Sequence, residues 1–320
     1  MLEKFVESER KRFIIKRLIR AIPIILFATI IVFSILHFSP GNPARIMLGP
    51  KATEEVVQHL EREMGLDRPL PVQYITWVAN FVRGDWGTSI RFDQPVRSLI
   101  LSRLPVTLII MSLSLTLSTI LGITMGVLGA LKQNSIFDYS STVAALFWRS
   151  IPSFWLGILF LYFFSLRLGW FPVGGWEGLI TAVLPVLVLG LRLQAIIARL
   201  TRSSMLNVLN KEYIKTAKTK GLKNRTVIIK HALRNALIPV TTIVAMRLPW
   251  LFGGAMVTEQ VFNLPGMGRL IVSGVMARDY PVVQGAVLLI AMMVVVANLA
   301  ADIIYTFVDP RIKLGSSKGV

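Results

Sequence analysis

Ten basic side chains and one acid, Glu212, fall between Arg199 and Arg234. One helical pattern, Glu212-Tyr213-Ile214-Lys215-Thr216-Ala217-Lys218-Thr219-Lys220, precedes Gly221-Leu222, and a second runs on through His231-Ala232-Leu233-Arg234-Asn235-Ala236. Glycine after a Lys-rich turn suits a helix C-terminus. The cations Lys211, Lys215, Lys218 and Arg225 interleave with Ala217, Leu222, Val227, Ile228 and Ile229. A loop that is cationic only to satisfy membrane topology needs no such order. The pattern therefore favours a helix–turn–helix at a membrane surface, shaped to be gripped by another protein. Its chemistry is contact rather than bond-making.

Four further charges, Arg149, Arg192, Arg247 and Asp302, lie within or near the ends of long apolar runs. A charge at a helix centre costs about 2.5–3.5 kcal/mol on insertion scales, so it should face a wet cavity or a partner. Arg149 and Arg247 are the candidates for lining a translocation path and meeting a carboxylate-bearing solute. Arg192 and Asp302, placed nearer the ends of their runs, are expected to snorkel or to pair with one another. Trp155, Trp170, Phe171, Trp176 and Trp250 resemble a ligand cage, but aromatic anchoring at the bilayer edges accounts for them more simply.

Bond-making chemistry is poorly represented. No Gly-x-x-x-x-Gly-Lys-[Ser/Thr] loop exists to cradle nucleotide phosphates, and no Gly-x-Ser-x-Gly elbow appears. The three histidines, His37, His59 and His231, are far apart in sequence, and there is no cysteine. Neither a metal site nor a catalytic set is expected on this chain.

The elements that must position these residues follow from composition. Of 320 residues 54% are hydrophobic and 16% charged, against about 45–50% and about 25% in soluble domains, and mean hydropathy is +0.64. Apolar runs near 20 residues recur, the length that crosses a hydrocarbon core about 30 Å thick. Continuous runs exclude a β-barrel, whose strands alternate. The net charge of +18 would suggest nucleic acid in a soluble protein; here the cations sit where topology wants them, so membrane lipid and not nucleic acid is expected.

Six spans are expected, at about 13–37, 104–131, 139–166, 179–199, 237–258 and 282–307. The N-terminal 20 residues carry seven Lys/Arg and the 199–235 loop ten, which places both termini in the cytoplasm of a multi-pass protein of the cell membrane. The first run resembles a signal peptide but is followed by Ser39-Pro40-Gly41-Asn42-Pro43 rather than a small-residue cleavage site, and is read as a retained span. Segment 38–103, with eight basic and seven acidic residues, is expected to be a folded extracytoplasmic cap. In it Thr53 caps a helix stopped by Gly65, and Val72 to Val82 aligns Tyr74, Trp77, Val78 and Phe81 on one face, as a helix lying on the bilayer would. Pro105 is expected in the first turn of span two, and Gly122 and Gly126 allow another helix close approach. The remaining units are a five-helix core over 104–309 and a tail over 310–320.

At the basic loop the chain resembles the permease subunits of binding-protein-dependent ABC importers. It is most similar to the first membrane subunit of the dipeptide/oligopeptide/nickel branch. The generic loop reads Glu-Ala-Ala, three residues, Gly, nine residues, Ile-x-Leu-Pro. Here Lys215-Thr216-Ala217 and His231-Ala232-Leu233-Arg234 stand in its conserved places, and only Ala217, Gly221 and Leu233 keep the generic residue. The peptide branch's Tyr-x-x-Thr-Ala-x-x-Lys-Gly-Leu and His-Ala-Leu-Arg-Asn-Ala are both present. So are Pro40-Gly41-Asn42-Pro43, Gly65-Leu66-Asp67-Arg68-Pro69, Gly84-Asp85-Trp86-Gly87, Glu259-x-Val261-Phe262-x-x-Pro265-Gly266-Met267-Gly268 and Asp309-Pro310-Arg311.

The resemblance implies an all-α type I importer permease forming half of a pore with a second, similar permease. Two cytoplasmic ATPase subunits, which bind the ATP and Mg²⁺, would grip Glu212, Lys215, Thr216, Ala217, Lys218, Gly221 and Leu222. An external solute-binding protein would deliver peptides, or in other lineages nickel or oligosaccharides. A secondary transporter working alone and a membrane-embedded enzyme are the rival readings. The first would want acids buried mid-membrane, where Asp302 is thin support, and the second a nucleophile or metal set.

Overall fold

The structure is a computed structural model that describes residues 2–38, 43–49, 51–63 and 65–308. Pro40-Gly41-Asn42, Asp309-Pro310-Arg311 and the 310–320 tail lie outside these residues. Helices account for every regular element described: α1 (Leu2–Phe38), α2 (Pro43–Leu48), α3 (Glu54–Glu63), α4 (Leu70–Arg83), α5 (Val96–Leu131) and α6 (Ile136–Ser150) come first. They are followed by α7 (Ser153–Arg167), α8 (Leu179–Leu209), α9 (Glu212–Thr219), α10 (Asn224–Met246), α11 (Leu248–Val261), α12 (Met267–Met276) and α13 (Tyr280–Val308). Five helices are long and apolar enough to cross a membrane, or six when α6 and α7 count as one span.

Several expected boundaries move, each for a local reason. Span two begins at Val96, so residues 96–103 leave the cap and Pro105 sits inside α5 instead of its first turn. The run expected as a straight third span is broken, α6 and α7 meeting at 101°. Pro152 disfavours helical backbone at Ile151, whose φ of −76° and ψ of 129° are extended. The fourth span continues ten residues past the expected end to Leu209, because helicity outlasts hydropathy where Arg199 to Asn210 turn polar. The fifth begins at Asn224 and stops at Met246; Pro249, lacking an N–H, lies in the first turn of a separate helix, α11.

α5 runs through the middle of the packing. Its Ile110 is buried in one cluster with Leu156, Leu184 and Leu264, its Ile100 in a second with Met267 and Val282, and its Met111 in a third with Leu193, Val240 and Leu251. Against α8 the approach is closest at glycine: a Cβ on Gly126 would lie 2.5 Å from Thr201 Cβ, and one on Gly122 would lie 2.6 Å from Ile197 Cβ. The four-residue spacing thus serves packing. α1 lies along α13, with Arg17 Nη1 3.0 Å from Asp302 Oδ2. The expected pairing of Asp302 with Arg192 is therefore replaced by a pairing across these two helices.

Between α1 and α5, α3 ends in a left-handed Gly65 (φ +67°), as expected, and α4 in a left-handed Gly84 (φ +90°). The Tyr74, Trp77 and Phe81 face turns toward α1 and Trp86 rather than outward. Phe33 lies 5.5 Å from the Tyr74 ring and 6.0 Å from Trp77, and Phe81 stacks on Trp86 at 4.7 Å. The link into α5 is tied down by Asp279, whose Oδ2 accepts from Ser89 Oγ and, at 3.1 Å, from the Arg91 N–H.

Candidate functional site: the α9 surface and the arginine-lined cavities

α9 is only eight residues long, too short to persist alone in water. What holds it is a row of inward side chains. Ile214 and Ala217, one turn apart, are buried with Ala130 of α5, Met205 of α8 and Val227, Ala232 and Ala236 of α10. Asn235 Nδ2 donates to the Tyr213 hydroxyl at 3.2 Å. The opposite face, Glu212, Lys215, Thr216 and Lys218, is exposed, and Lys215 Nζ reaches Glu212 Oε1 at 2.7 Å. Gly221 has φ +73° and turns the chain toward α10, with Leu222 exposed beside it.

The expected helix–turn–helix is thus present in altered form. Its second helix is the start of α10 itself, entered through a π-helical segment, Val227–Leu233, of the kind that clusters at functional sites. Of the expected contact residues, Ala217 faces the protein's own core, so its smallness serves intramolecular packing. Glu212, Lys215, Thr216, Lys218, Gly221 and Leu222 remain on the outer surface.

The arginines fall in two cavities along α8. Arg149, Arg199 and Arg202 line one of about 260 Å³, with Ser141 and Thr142. Arg192 lines another of about 370 Å³, with Ser153, Trp250, Gly253 and Gly254. Arg247, at the α10–α11 break, lines neither. Trp155, Trp170 and Trp250 are about half exposed, whereas Phe171 and Trp176 pack against the Leu184 and Leu264 cluster.

Besides Asp279, two further buried acids were not singled out as sites from sequence. Asp138 of α6 accepts both Nε and Nη2 of Arg202, each at 2.6 Å, and its Oδ2 also accepts the Asn134 N–H. Its partner is 64 residues away, so only an alternating acid–base pattern across helices, invisible in one sequence, could have signalled it. Glu259 is fully buried; it accepts from Thr107 Oγ1 of α5 and, at 2.7 Å, from the Gly268 N–H at the start of α12. A Cβ on Gly266 would lie 2.1 Å from the Glu259 carboxyl carbon. The Glu259…Pro265-Gly266-Met267-Gly268 motif therefore encodes a carboxylate clamp that joins α5, α11 and α12.

The chain can now be set beside known proteins. Residues 118–314 match the family described as binding-protein-dependent transport system inner membrane component, and residues 10–113 match the N-terminal family of such components. It is 43% identical over 312 residues to the oligopeptide transport system permease protein AppB of Bacillus subtilis (strain 168), covering 94% of this chain and 99% of that one. The glutathione transport system permease protein GsiC of Escherichia coli (strain K12) is 39% identical over 301 residues, covering 94% and 98%. A chain of the inward-facing MetNI methionine ABC transporter superposes with a TM-score of 0.56 at 19% identity, over 66% of this chain and 96% of that one, which shows a shared fold. Helical bundle, docked α9 and full-length matches agree: the chain belongs to the inner membrane components of binding-protein-dependent transport systems.

Proposed function

We propose that this chain is the membrane-spanning permease subunit of an ATP-driven importer of di- and oligopeptides, contributing half of the translocation path. The observation that carries the peptide reading is identity of 40% or more, over 93–94% of the chain, to relatives named as oligopeptide and dipeptide permeases. In this reading a second, similar permease completes the pore and an extracytoplasmic binding protein delivers the peptide. Two cytoplasmic ATPase subunits hold ATP and Mg²⁺ and grip the outer face of α9. Glu212, Lys215, Thr216, Lys218, Gly221 and Leu222 supply the contact, and Ala217 seats the helix. Both termini are cytoplasmic, and the chain itself hydrolyses nothing.

Motion of α9 by the ATPase pair then rocks the spans packed above it between two arrangements, a rigid-body transition of the kind packed bundles permit. The test is reconstitution of this permease with its companion subunits in proteoliposomes. Labelled di- and tripeptides should accumulate only when ATP is present on the ATPase side. Accumulation driven by an ion gradient without the ATPase, or of nickel or an oligosaccharide in place of peptide, would overturn the reading.

A further inference from the structure

α8 carries three cations, Arg192 and, two turns on, Arg199 with Arg202. Arg202 is neutralised by its two bonds to Asp138. Arg192, Arg199 and Arg149 have no acidic partner among the described residues. Arg192 is the most telling of these. Its Nε is buried and has no hydrogen-bond partner among the described residues, yet the side chain opens on a cavity of about 370 Å³. Arg149 lines the other cavity along α8, with Arg199. A cation with a buried donor unsatisfied, opening on a cavity, is suited to an anion.

Depth decides which anion. With about 1.5 Å per residue, Arg192 lies about 20 Å along α8 from Leu179 and about 26 Å from Leu209. Within the apolar run 179–199 it is nearer the Arg199 end, as its sequence position suggests, yet still about 10 Å short of where α8 turns polar. A lipid phosphate sits at the headgroup level, about 15 Å from the centre of the hydrocarbon core, and does not reach it. A solute passing through the bundle does. A guanidinium presents a planar fork that matches a carboxylate with two parallel hydrogen bonds. Trp250, Gly253 and Gly254 add an apolar wall with little side-chain obstruction, and the second cavity along α8 places Arg149 and Arg199 further along the same helix pair.

We propose that Arg192, assisted by Arg149, is a transient binding site for the free carboxylate of the transported solute, inside the bundle. The proposal rests on the peptide-import reading above and names the group that this chain recognises. Arg247, which lines neither cavity, has no part in it.

The experiment uses the full transporter in proteoliposomes with two probes, trialanine and its C-terminal amide, each at its own saturating concentration. Arg192→Gln should slow ATP-driven uptake of the free acid by about 10-fold or more, the usual cost of losing a hydrogen bond to a charged group. It should leave amide uptake within about 2-fold, since the amide offers no carboxylate to lose. Arg192→Lys should restore part of the free-acid rate, and Arg149→Gln should show the same selectivity at smaller size. Equal loss on both peptides, or no loss on either, would overturn the proposal. So would loss of the second permease from purified Arg192→Gln complex, which would assign Arg192 to an acid across the subunit interface. A wild-type complex that imports neither probe with ATP would instead refute the importer reading.

Discussion

Replacing Ile214 by alanine should loosen α9 from the bundle while leaving the bundle folded. Ile214 is fully exposed to no solvent and sits among Met205, Val227, Ala232 and Ala236. Truncating a buried isoleucine costs about 2–5 kcal/mol. The lower part of that range applies here, about 2–3 kcal/mol, because a short surface helix can settle into the space. At about 1.4 kcal/mol per decade, the opening equilibrium of α9 should rise about 30- to 150-fold. Hydrogen–deuterium exchange of amides 212–221 in the purified protein reads this directly, since opening free energy sets protection. Amides within α8 should keep their wild-type rates. Lys218→Ala, on the exposed face, should change neither region. Wild-type exchange over 212–221 in folded Ile214→Ala protein would refute the reasoning that this cluster seats the helix.

Gly126→Val places a side chain where a Cβ alone would lie 2.5 Å from Thr201 Cβ; over-packing of about 1–3 kcal/mol or more should lower the thermal midpoint in detergent. Asp138→Ala strands Arg202, whose side chain is 31% exposed. The loss should be about 1–3 kcal/mol, below the full cost of breaking a buried pair, and the Asp138→Ala/Arg202→Met double variant should lose less than the two single changes summed. At Gly221, φ is +73° and a Cβ meets nothing within 4 Å. Asparagine should therefore be tolerated, while valine should cost about 1–2 kcal/mol from backbone alone, read as faster exchange over 218–224. Single cysteines at Gln58 and Asn224 of this Cys-free chain should label from opposite sides of the membrane with an impermeant maleimide; labelling of both from outside would overturn the proposed orientation.

The long apolar helices were legible because burial in lipid and helicity coincide there. They parted company where only one of the two held. Arg199 to Asn210 is polar yet helical, so α8 was read ten residues short. Ile151-Pro152 is apolar yet not helical, so α6 and α7 were read as one rod although Pro152 stood in plain view. The left-handed Gly65 and the turn at Gly221 were legible from glycine placement. The inward face of α9 was available in the one-turn spacing of Ile214 and Ala217, but contact with a partner offered a competing account of the same small residue. The Thr107–Glu259–Gly268 clamp and the Asp138–Arg202 pair join residues 152 and 64 positions apart, and nothing local in the chain marks either partner for the other.

One consequence concerns leverage. α5 touches the α9 cluster at Ala130 and the carboxylate clamp at Thr107, a separation of about 35 Å at 1.5 Å per residue. Over that length a tilt of about 10° pivoting at one end sweeps the other through about 6 Å. Since α8 is packed against α5 through Gly122 and Gly126, a rigid-body swing would carry the two helices together as one boom. A swing that pivots beside α9 would therefore leave α9 almost still while it carries Thr107 and the clamp to α11 and α12 through a distance comparable with the width of a peptide backbone.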